Sequence, residues 1–362
     1  MLERAKKFML RYERYVSPVT LVLGFAFDSI MLKRIDLFFS NALLISYLFI
    51  ASVCIIFLNV RETRRTKPEI EHSETMHIAL LFMMQFSIGG LFSASFLFYS
   101  KSGTIIASWP FLLLIFAYVI GNELLRKNYV RLGFQVTVFF TALFSFLIFF
   151  LPVILGAMGD AIFMLSGIAS LVLTGLFYYV LSWFAPERAT KGAPLAILSI
   201  LSVFAVINAL YFSNLIPPIP LSLRDVGVYR SVSKISEGAY EVMGEKQGKS
   251  WILSRKTVVH MTPGEPLYAL TSVFAPTSLT TEIRHVWRHF DGDRGEWIVA
   301  SDILLSIKGG REGGFRTYSV KKNVFPGTWR LDVETVRGQL IGRFPFEIRL
   351  STGEEKLFTE TK

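Results

Sequence analysis

Residues 195–220, LAILSILSVFAVINALYFSNLIPPIP, decide how this chain is organised. The stretch begins with an apolar run, Leu195–Tyr211, that is about as long as a helix crossing a membrane. It ends in the connector Ile216-Pro217-Pro218-Ile219-Pro220, where proline cannot continue a helix. In hydrocarbon, only a helix or a closed barrel satisfies every backbone polar group, because no water is available as a partner. The stretch therefore predicts a membrane-embedded half before it and a water-soluble half after it.

The membrane half is predicted to contain about seven transmembrane helices. A spanning helix needs about 20 mostly apolar residues, and seven stretches approach that length. They are Val16–Leu32, Leu37–Val60, His77–Tyr99, Ser108–Leu125, Leu132–Leu155, Ala161–Phe184 and Pro194–Ser213. The predicted organisation is thus a polytopic helical domain at 1–213, a proline-rich connector at 214–224 and a soluble domain at 225–362.

Basic residues are distributed unevenly between the two sets of alternating loops. One set, which includes the N-terminus, carries fourteen Lys and Arg, and the other carries three, Lys33, Arg34 and Lys101. Because cytoplasmic loops retain Lys and Arg, this asymmetry predicts a cytoplasmic N-terminus and an extracytoplasmic C-terminal domain. Of the net charge of +10, +6 lies in residues 1–213, where this topology explains it, and +4 lies in the rest of the chain. Neither half is basic enough to suggest nucleic acid, so we expect no nucleic-acid partner.

After Pro220 the sequence changes to short alternating runs separated by Gly, Pro and Asp-Gly turns, which is typical of an all-β domain. Eight strands are predicted, and this number indicates an immunoglobulin-like β-sandwich. In the last hairpin, Trp329, Leu331 and Val333 alternate with charged residues, so one face is expected to be apolar and the other wet. The predicted strands are Gly227–Val232, Trp251–Met261, Leu267–Phe274, Glu282–Phe290, Glu296–Ile307, Phe315–Val320, Thr328–Thr335 and Leu340–Leu350.

Several short motifs in this half resemble a known bacterial family. They are His285-Val-Trp287, Arg316-Thr-Tyr-Ser319, Pro326-Gly-Thr-Trp-Arg-Leu-Asp-Val333 and Phe344-Pro-Phe346-Glu-Ile348. Together they are similar to the uncharacterised family called domain of unknown function 2914, over roughly residues 258–350. The resemblance implies an envelope protein of the bacterial inner membrane with a periplasmic or otherwise extracytoplasmic β domain. It brings no activity and no catalytic residues.

Aromatic side chains offer one candidate ligand site. His285, Trp287 and His289 share one face of a predicted strand, and with Tyr318 and Trp329 they could form a platform for an envelope glycan or a hydrophobic ligand. The alternative is that most of these rings belong to the sandwich core, as a buried tryptophan does in immunoglobulin domains. Under that alternative, Trp287 and Trp329 are the expected core members and the two histidines lie at the surface.

Arginines offer a second candidate surface. Arg284 and Arg288 point away from the aromatic face of their strand, and Arg343 and Arg349 share a face on the last strand. Surface arginines can contact lipid phosphates or an anionic polymer, each contributing about 1 kcal/mol at most. Ordinary solvated strand faces have the same composition, so the pattern alone does not distinguish the two interpretations.

The sequence predicts no metal, cofactor or catalytic site. Four residues of strand separate His285 from His289 by about 13 Å, which is too far for one metal ion. Cys54 is the single cysteine and lies in an apolar span, so a thiol zinc site and an intrachain disulfide are excluded. The chain contains no nucleophile elbow, phosphate-binding glycine loop or zinc protease helix.

In the membrane half, Asp28, Glu123 and Gln85 are the intramembrane polar candidates, because an ionisable or amide group in hydrocarbon is a functional candidate by default. Asp28 and Glu123 lie close to basic loops, where they can reach the interface and pair. The amides of Gln85 and Gln135 are expected to link helices, and Gly90 is expected to permit close helix packing.

Three functions remain open from the sequence. The first is a non-enzymatic membrane protein whose β domain binds an envelope glycan, lipid or protein. The second is an enzyme or carrier for a lipid-linked substrate, with Asp28 or Glu123 at an interfacial site and the β domain as a lid. The third is a scaffold within an envelope complex. The sequence favours the first, and it does not specify an oligomeric state.

Overall fold

The computed structural model describes residues 25–26, 28–32, 37–65, 74–102, 105–124, 131–236, 238–245, 257–277, 279–353 and 355–362. The chain divides into two compact units. The first, the helical unit, comprises Met1–Tyr99, Trp109–Leu151 and Asp160–Ser213. The second, the β unit, comprises Ser100–Ser108, Pro152–Gly159 and Asn214–Lys362.

Six long helices follow a short helical turn at residues 28–31. Their lengths, 20 to 28 residues, are those needed to cross a bilayer at about 1.5 Å per residue. They are α1 (Phe38–Arg65), α2 (Glu74–Lys101), α3 (Ile105–Leu124), α4 (Leu132–Leu155), α5 (Asp160–Phe184) and α6 (Pro186–Phe212).

Five of these helices are both long enough and apolar enough to cross a membrane, namely α1, α2, α4, α5 and α6. In α3 the apolar part is shorter, Ser108–Gly121. Five of the seven predicted segments therefore form helices with the length and apolar character that crossing a membrane requires. Most of the first predicted span, Val16–Leu32, lies outside the described residues.

Helix α4 is the most buried of the five and is tied to its neighbours by polar contacts. The Asn59 amide of α1 donates to Gln135 Oε1 at 2.6 Å, and the Tyr99 hydroxyl of α2 donates to the Ser145 carbonyl at 3.1 Å. The first of these bonds confirms the expected role of Gln135 in linking helices. Such bonds hold apolar helices together where burial gives no hydrophobic driving force.

Close packing between α1 and α2 depends on Gly90. A β-carbon at this position would lie 2.5 Å from the ring of Tyr47, which is 5% exposed. The expected contribution of Gly90 to close helix packing is confirmed, because any side chain there would displace the buried tyrosine.

Eleven strands make up most of the β unit. Their residues alternate between an apolar core face and an outer face, as a pleated strand requires. They are β1 (Ser222–Tyr229), β2 (Ser231–Ser236), β3 (Ala239–Gly244), β4 (Thr257–Met261), β5 (Leu267–Phe274), β6 (Thr280–Asp291), β7 (Glu296–Lys308), β8 (Phe315–Lys321), β9 (Gly327–Thr335), β10 (Leu340–Leu350) and β11 (Phe358–Thr361).

The strands form three sheets, with orders β1-β5-β8, β4-β10-β9-β6-β7 and β11-β3-β2. The pairs are antiparallel except β4 and β10, which run parallel. One hydrophobic core contains side chains from both the first sheet and the five-stranded sheet, so these two face each other. A second, smaller core joins the other side of the first sheet to the third sheet.

The predicted β-rich C-terminal region is confirmed, and its detailed form differs from the expectation. Three sheets and a parallel pair replace the two antiparallel sheets of an immunoglobulin-like sandwich. The bounds predicted for β5 and β10 are those observed. The predicted strand Gly227–Val232 is wrong, because the chain leaves β1 at Arg230 and starts β2. Strands β3 and β11 are short and were not predicted.

Candidate functional site

His285 lies in the core between the first sheet and the five-stranded sheet and is 0% exposed. Its Nε2 is 2.9 Å from the Thr271 hydroxyl, and its Nδ1 is 2.9 Å from the Ser319 hydroxyl. The Trp287 indole donates to the same Ser319 oxygen at 3.0 Å. The expectation that His285 is a surface residue is wrong, because two hydroxyls from the opposite sheet supply the hydrogen bonds that a buried imidazole needs.

Burial lowers the pKa of His285 to about 3. The imidazole is therefore neutral near pH 7 and carries a single N–H. Since the Trp287 indole can only donate, a consistent pattern has the Ser319 hydroxyl donating to Nδ1 and Nε2–H donating to Thr271. The group works as a core crosslink between sheets and has no access to a ligand.

Trp287 and Trp329 are also 0% exposed. The Trp329 indole donates to the Phe325 carbonyl at 3.0 Å, and Trp287 packs edge-on against Phe346. Their assignment to the core is confirmed. His289 is half-buried and lies against the rings of Phe325 and Trp329.

Tyr318 points in the other direction. It is the neighbour of Ser319 on β8, so it faces the third sheet, where it contacts Tyr240 of β3. On the same side of its own sheet it also contacts Tyr268 of the adjacent strand β5. The five candidate residues His285, Trp287, His289, Tyr318 and Trp329 therefore do not share one surface. The predicted aromatic platform for a ligand is not formed. Its members instead pack in two cores that lie on opposite sides of the sheet β1-β5-β8.

The outer face of the five-stranded sheet has a different character. It carries a cluster of four arginines, which we call the arginine face. Arg349 of β10 lies on the same side of the sheet but outside this cluster, where it pairs with Glu347. At the centre of the cluster the Asp332 carboxylate of β9 is 0% exposed. The arginine face comprises Arg284 and Arg288 of β6, Arg330 of β9 and Arg343 of β10.

Three of these guanidinium groups converge on Asp332. Arg343 donates to both carboxylate oxygens, at 2.6 and 3.0 Å. The Nε atoms of Arg288 and Arg330 lie 3.1 and 3.2 Å from Oδ2. The wet face predicted for this hairpin is thus wrong at Asp332, because long arginine side chains from its own strand β9 and from the neighbouring strands β6 and β10 cover the carboxylate.

The remaining contacts fix the arginines in place. Arg288 donates to Glu334 at 3.1 Å, and Arg284 pairs with Asp302 of β7. The Arg330 guanidinium stacks over the Trp297 ring at 4.3 Å, a favourable cation and aromatic geometry. Four arginines thus face three carboxylates, so the arginine face keeps an excess of one positive charge.

The pKa of Arg330 is lowered, chiefly by burial. Among its charged neighbours, Asp332 and Glu334 raise this pKa, and Arg343 and Arg288 lower it. Each guanidinium has five N–H donors in a fixed plane, and three carboxylates cannot accept from all of them. The arrangement is able to bind an anion with several oxygens.

The intramembrane candidates are only partly described. Asp28 is 4% exposed and interacts with Ser93 of α2. Gln85 lies half-buried on α2, and the side chain of Glu123 lies outside the described residues. Within the part of the chain that is described, no cluster of three or more His, Cys, Asp or Glu side chains could hold a metal ion.

Comparison with known proteins identifies one matching family, over part of the chain. Residues 280–348, which run from the start of β6 to near the end of β10, match the family described as "Protein of unknown function (DUF2914)". The resemblance drawn from the sequence motifs is thereby confirmed for this segment. No curated protein matches the chain.

Two solved structures show weak similarity. A β-glucosidase from Listeria innocua in complex with gluconolactone has 10% identity and a TM-score of 0.18, covering 34% of this chain and 16% of that one. Alkylpurine DNA glycosylase AlkC of Pseudomonas fluorescens, bound to DNA containing an abasic site analog, has 11% identity and a TM-score of 0.21, covering 83% and 99%. The chain spans about a sixth of the length of the glucosidase, and neither similarity establishes a common fold.

The central role of Asp332 can be tested by removing its charge. Asp332→Asn keeps the shape of the side chain and leaves three guanidinium groups around a neutral amide. We expect the free energy of unfolding to fall by about 3 kcal/mol, as when one partner of a buried ion pair is lost. Asp302→Asn breaks only the half-exposed pair with Arg284, and we expect a loss of at most about 1 kcal/mol. Denaturant unfolding of the full chain in detergent, followed by tryptophan fluorescence, measures both. Equal losses would contradict the central role of Asp332.

The neutral state of His285 predicts a pH dependence. The pKa of His285 is about 3 in the folded chain and about 6.5 in the unfolded chain. Below pH 6.5 the unfolded imidazole therefore binds a proton, whereas the folded imidazole stays neutral. The contribution of His285 to the free energy of unfolding is complete above pH 6.5. It declines by about 1.4 kcal/mol per pH unit as the pH falls towards 3. Between pH 6.5 and 5 the wild type should lose about 2 kcal/mol from this source. The variant His285→Gln should lose that part of the slope, whatever its absolute stability, and an unchanged slope would exclude the assignment.

Proposed function

We propose that the chain is a multi-pass protein of the bacterial inner membrane, with a cytoplasmic N-terminus and an extracytoplasmic β unit that binds a phosphate-bearing component of the cell envelope. The observation that carries the proposal is the arginine face, where three guanidinium groups are fixed around the buried Asp332 and a fourth, that of Arg284, pairs with Asp302. Fixed arginines bind phosphate with little further loss of side-chain entropy, since their planar forks are already oriented.

Two further observations support this function. All four arginines of the arginine face lie within the segment that matches the family, residues 280–348. The aromatic residues that would have favoured a glycan are largely buried, so the charged surface is the stronger candidate. A lipid-linked enzyme built on Asp28 or Glu123, and a purely structural scaffold, have no comparable observation among the described residues. We therefore assign no catalytic residue and no cofactor.

The orientation rests on the distribution of fourteen and three basic residues between the two sets of loops. It can be tested by cysteine labelling, because Cys54 is the only cysteine and is buried. In a Cys54→Ala background, Asp293→Cys in the exposed turn between β6 and β7 should react with a membrane-impermeant maleimide in cells whose outer membrane alone is permeable. Lys191→Cys, near the start of α6, should react only after the inner membrane is opened. The reverse pattern would invert the proposed topology.

Binding can be tested with the full chain in nanodiscs of phosphatidylcholine, immobilised on beads. One arm offers vesicles containing phosphatidylglycerol, and a second offers soluble polyphosphate, so lipid and polymer sources of phosphate are distinguished. We expect Arg284→Gln combined with Arg343→Gln to weaken binding about 30-fold, at about 1 kcal/mol for each surface arginine. Binding should also weaken as salt is raised.

The matched control removes the same charge from two arginines outside the cluster around Asp332. Arg294→Gln combined with Arg349→Gln also removes two positive charges, from side chains that are 69% and 58% exposed and that do not contact Asp332. This pair should weaken binding less than threefold. If both pairs reduce binding equally, the effect is one of net charge and the arginine face is not the site. If neither probe binds the wild type, the proposed function is wrong.

A further inference from the structure

At one end of the helical unit, α1, α2, α4 and α6 surround a narrow polar cleft. Its apolar walls are Leu58 and Leu81. The polar side chains that line it are Asn59, Glu62, His77, Gln135 and Arg188. This grouping could not be found in the sequence, because the five polar residues come from four separate helices.

Asn59 forms the deepest polar part of the cleft, at 1% exposure. Its amide nitrogen donates to the Ile55 carbonyl at 2.8 Å and to Gln135 Oε1 at 2.6 Å. Its carbonyl oxygen, Oδ1, has no donor among the described residues. A buried acceptor without a donor costs free energy, so this oxygen indicates that the cleft takes a group carrying N–H or O–H.

The charges of the cleft are of both signs. Glu62 and Arg188 lie 3.9 Å apart at their closest atoms, with side chains 30% and 23% exposed. A carboxylate has about four acceptor sites and a guanidinium five N–H donors, so each of these partly exposed groups can take a further partner of opposite charge. A ligand with a cationic donor and an adjacent anion matches the two charges and the amide oxygen together.

The position of the cleft indicates where such a ligand would come from. Glu62 lies in the last turn of α1, His77 in the first turn of α2, Gln135 in the first turn of α4 and Arg188 in the first turn of α6. The ends of membrane-spanning helices lie at the level of lipid headgroups. The cleft therefore opens where phospholipid headgroups are present at high concentration.

The size of the cleft selects among headgroups. Between the polar side chains there is room for about one water-sized group. A primary ammonium is of this size and has three N–H donors, whereas a trimethylammonium is larger and has none.

We propose that this cleft binds the headgroup of phosphatidylethanolamine. The ammonium donates to Asn59 Oδ1 and to Glu62, and the phosphate accepts from Arg188. The site lies in the helical unit and does not depend on the function proposed for the β unit, so either proposal can fail while the other stands.

The test compares four lipids that differ only in the nitrogen. The full chain is placed in phosphatidylcholine nanodiscs containing 20% of phosphatidylethanolamine or of its N-methyl or N,N-dimethyl derivative, with pure phosphatidylcholine as the reference. The midpoint of thermal unfolding should rise by about 3 °C with phosphatidylethanolamine, and the rise should shrink at each added methyl group. Native mass spectrometry should show phosphatidylethanolamine retained by the protein at least fivefold more than phosphatidylcholine.

Three variants separate specific binding from effects on the bilayer. Glu62→Gln and Arg188→Gln should each abolish the difference between phosphatidylethanolamine and phosphatidylcholine in both measurements. Asn208→Ala is the control, because Asn208 is a half-buried asparagine of α6 that bonds only its own helix and does not line the cleft. This variant should keep the full difference.

Each other outcome overturns the proposal. Equal stability of the wild type in all four lipids excludes ammonium recognition. A further sample with 20% phosphatidylglycerol serves as a control, and an equal rise of its unfolding midpoint means that the cleft recognises the phosphate alone. If the difference between phosphatidylethanolamine and phosphatidylcholine persists in both Glu62→Gln and Arg188→Gln, the effect comes from the bilayer. Because the two lipids are compared within each variant, this conclusion holds even if a substitution lowers absolute stability.

Discussion

The Asp332 carboxylate lies on the outer face of the five-stranded sheet and is nevertheless buried. The alignment of the strands around it follows from the need to neutralise its charge. A buried carboxylate without partners would cost several kcal/mol. Three guanidinium groups from β6, β9 and β10 satisfy it, and this requires the three strands to keep one register. The same strand buries Trp329, Leu331 and Val333 on its other face. Strand β9 is thus held on both sides, by apolar packing and by charge.

Much of this fold could be predicted from the sequence, since alternation and turn residues are local properties. The bounds of β5 and β10 and the inward face of the last hairpin follow from period-two patterns. Apolar runs of 24 to 27 residues likewise locate the five helices that can cross a membrane. Most of the first predicted span, Val16–Leu32, lies outside the described residues, so it stays a prediction.

The candidate sites could not be predicted, because they depend on contacts between distant segments. Alternation places His285 and Trp287 on one face, but only the fold shows that this face meets Thr271 and Ser319 of the other sheet. The same pattern places Asp332 on the outer side, where charged residues are normally wet. Asp332 is buried because arginines on neighbouring strands extend over it. The residue pattern of a single strand does not reveal such contacts. The cleft at Asn59 is assembled from four helices and has no local signature.

The parallel pairing of β4 with β10 has a consequence for how the β unit forms. Thr257 pairs with Phe346, so the contact joins positions almost ninety residues apart and encloses every strand between them. Hairpins such as β6 with β7 close locally and quickly, whereas a contact of this separation must first overcome the entropy of a long loop. Within the five-stranded sheet we therefore expect this edge to be completed last. Until then the hydrogen-bonding edge of β10 that receives β4 is unpaired, and an unpaired strand edge makes a partly folded chain prone to aggregate.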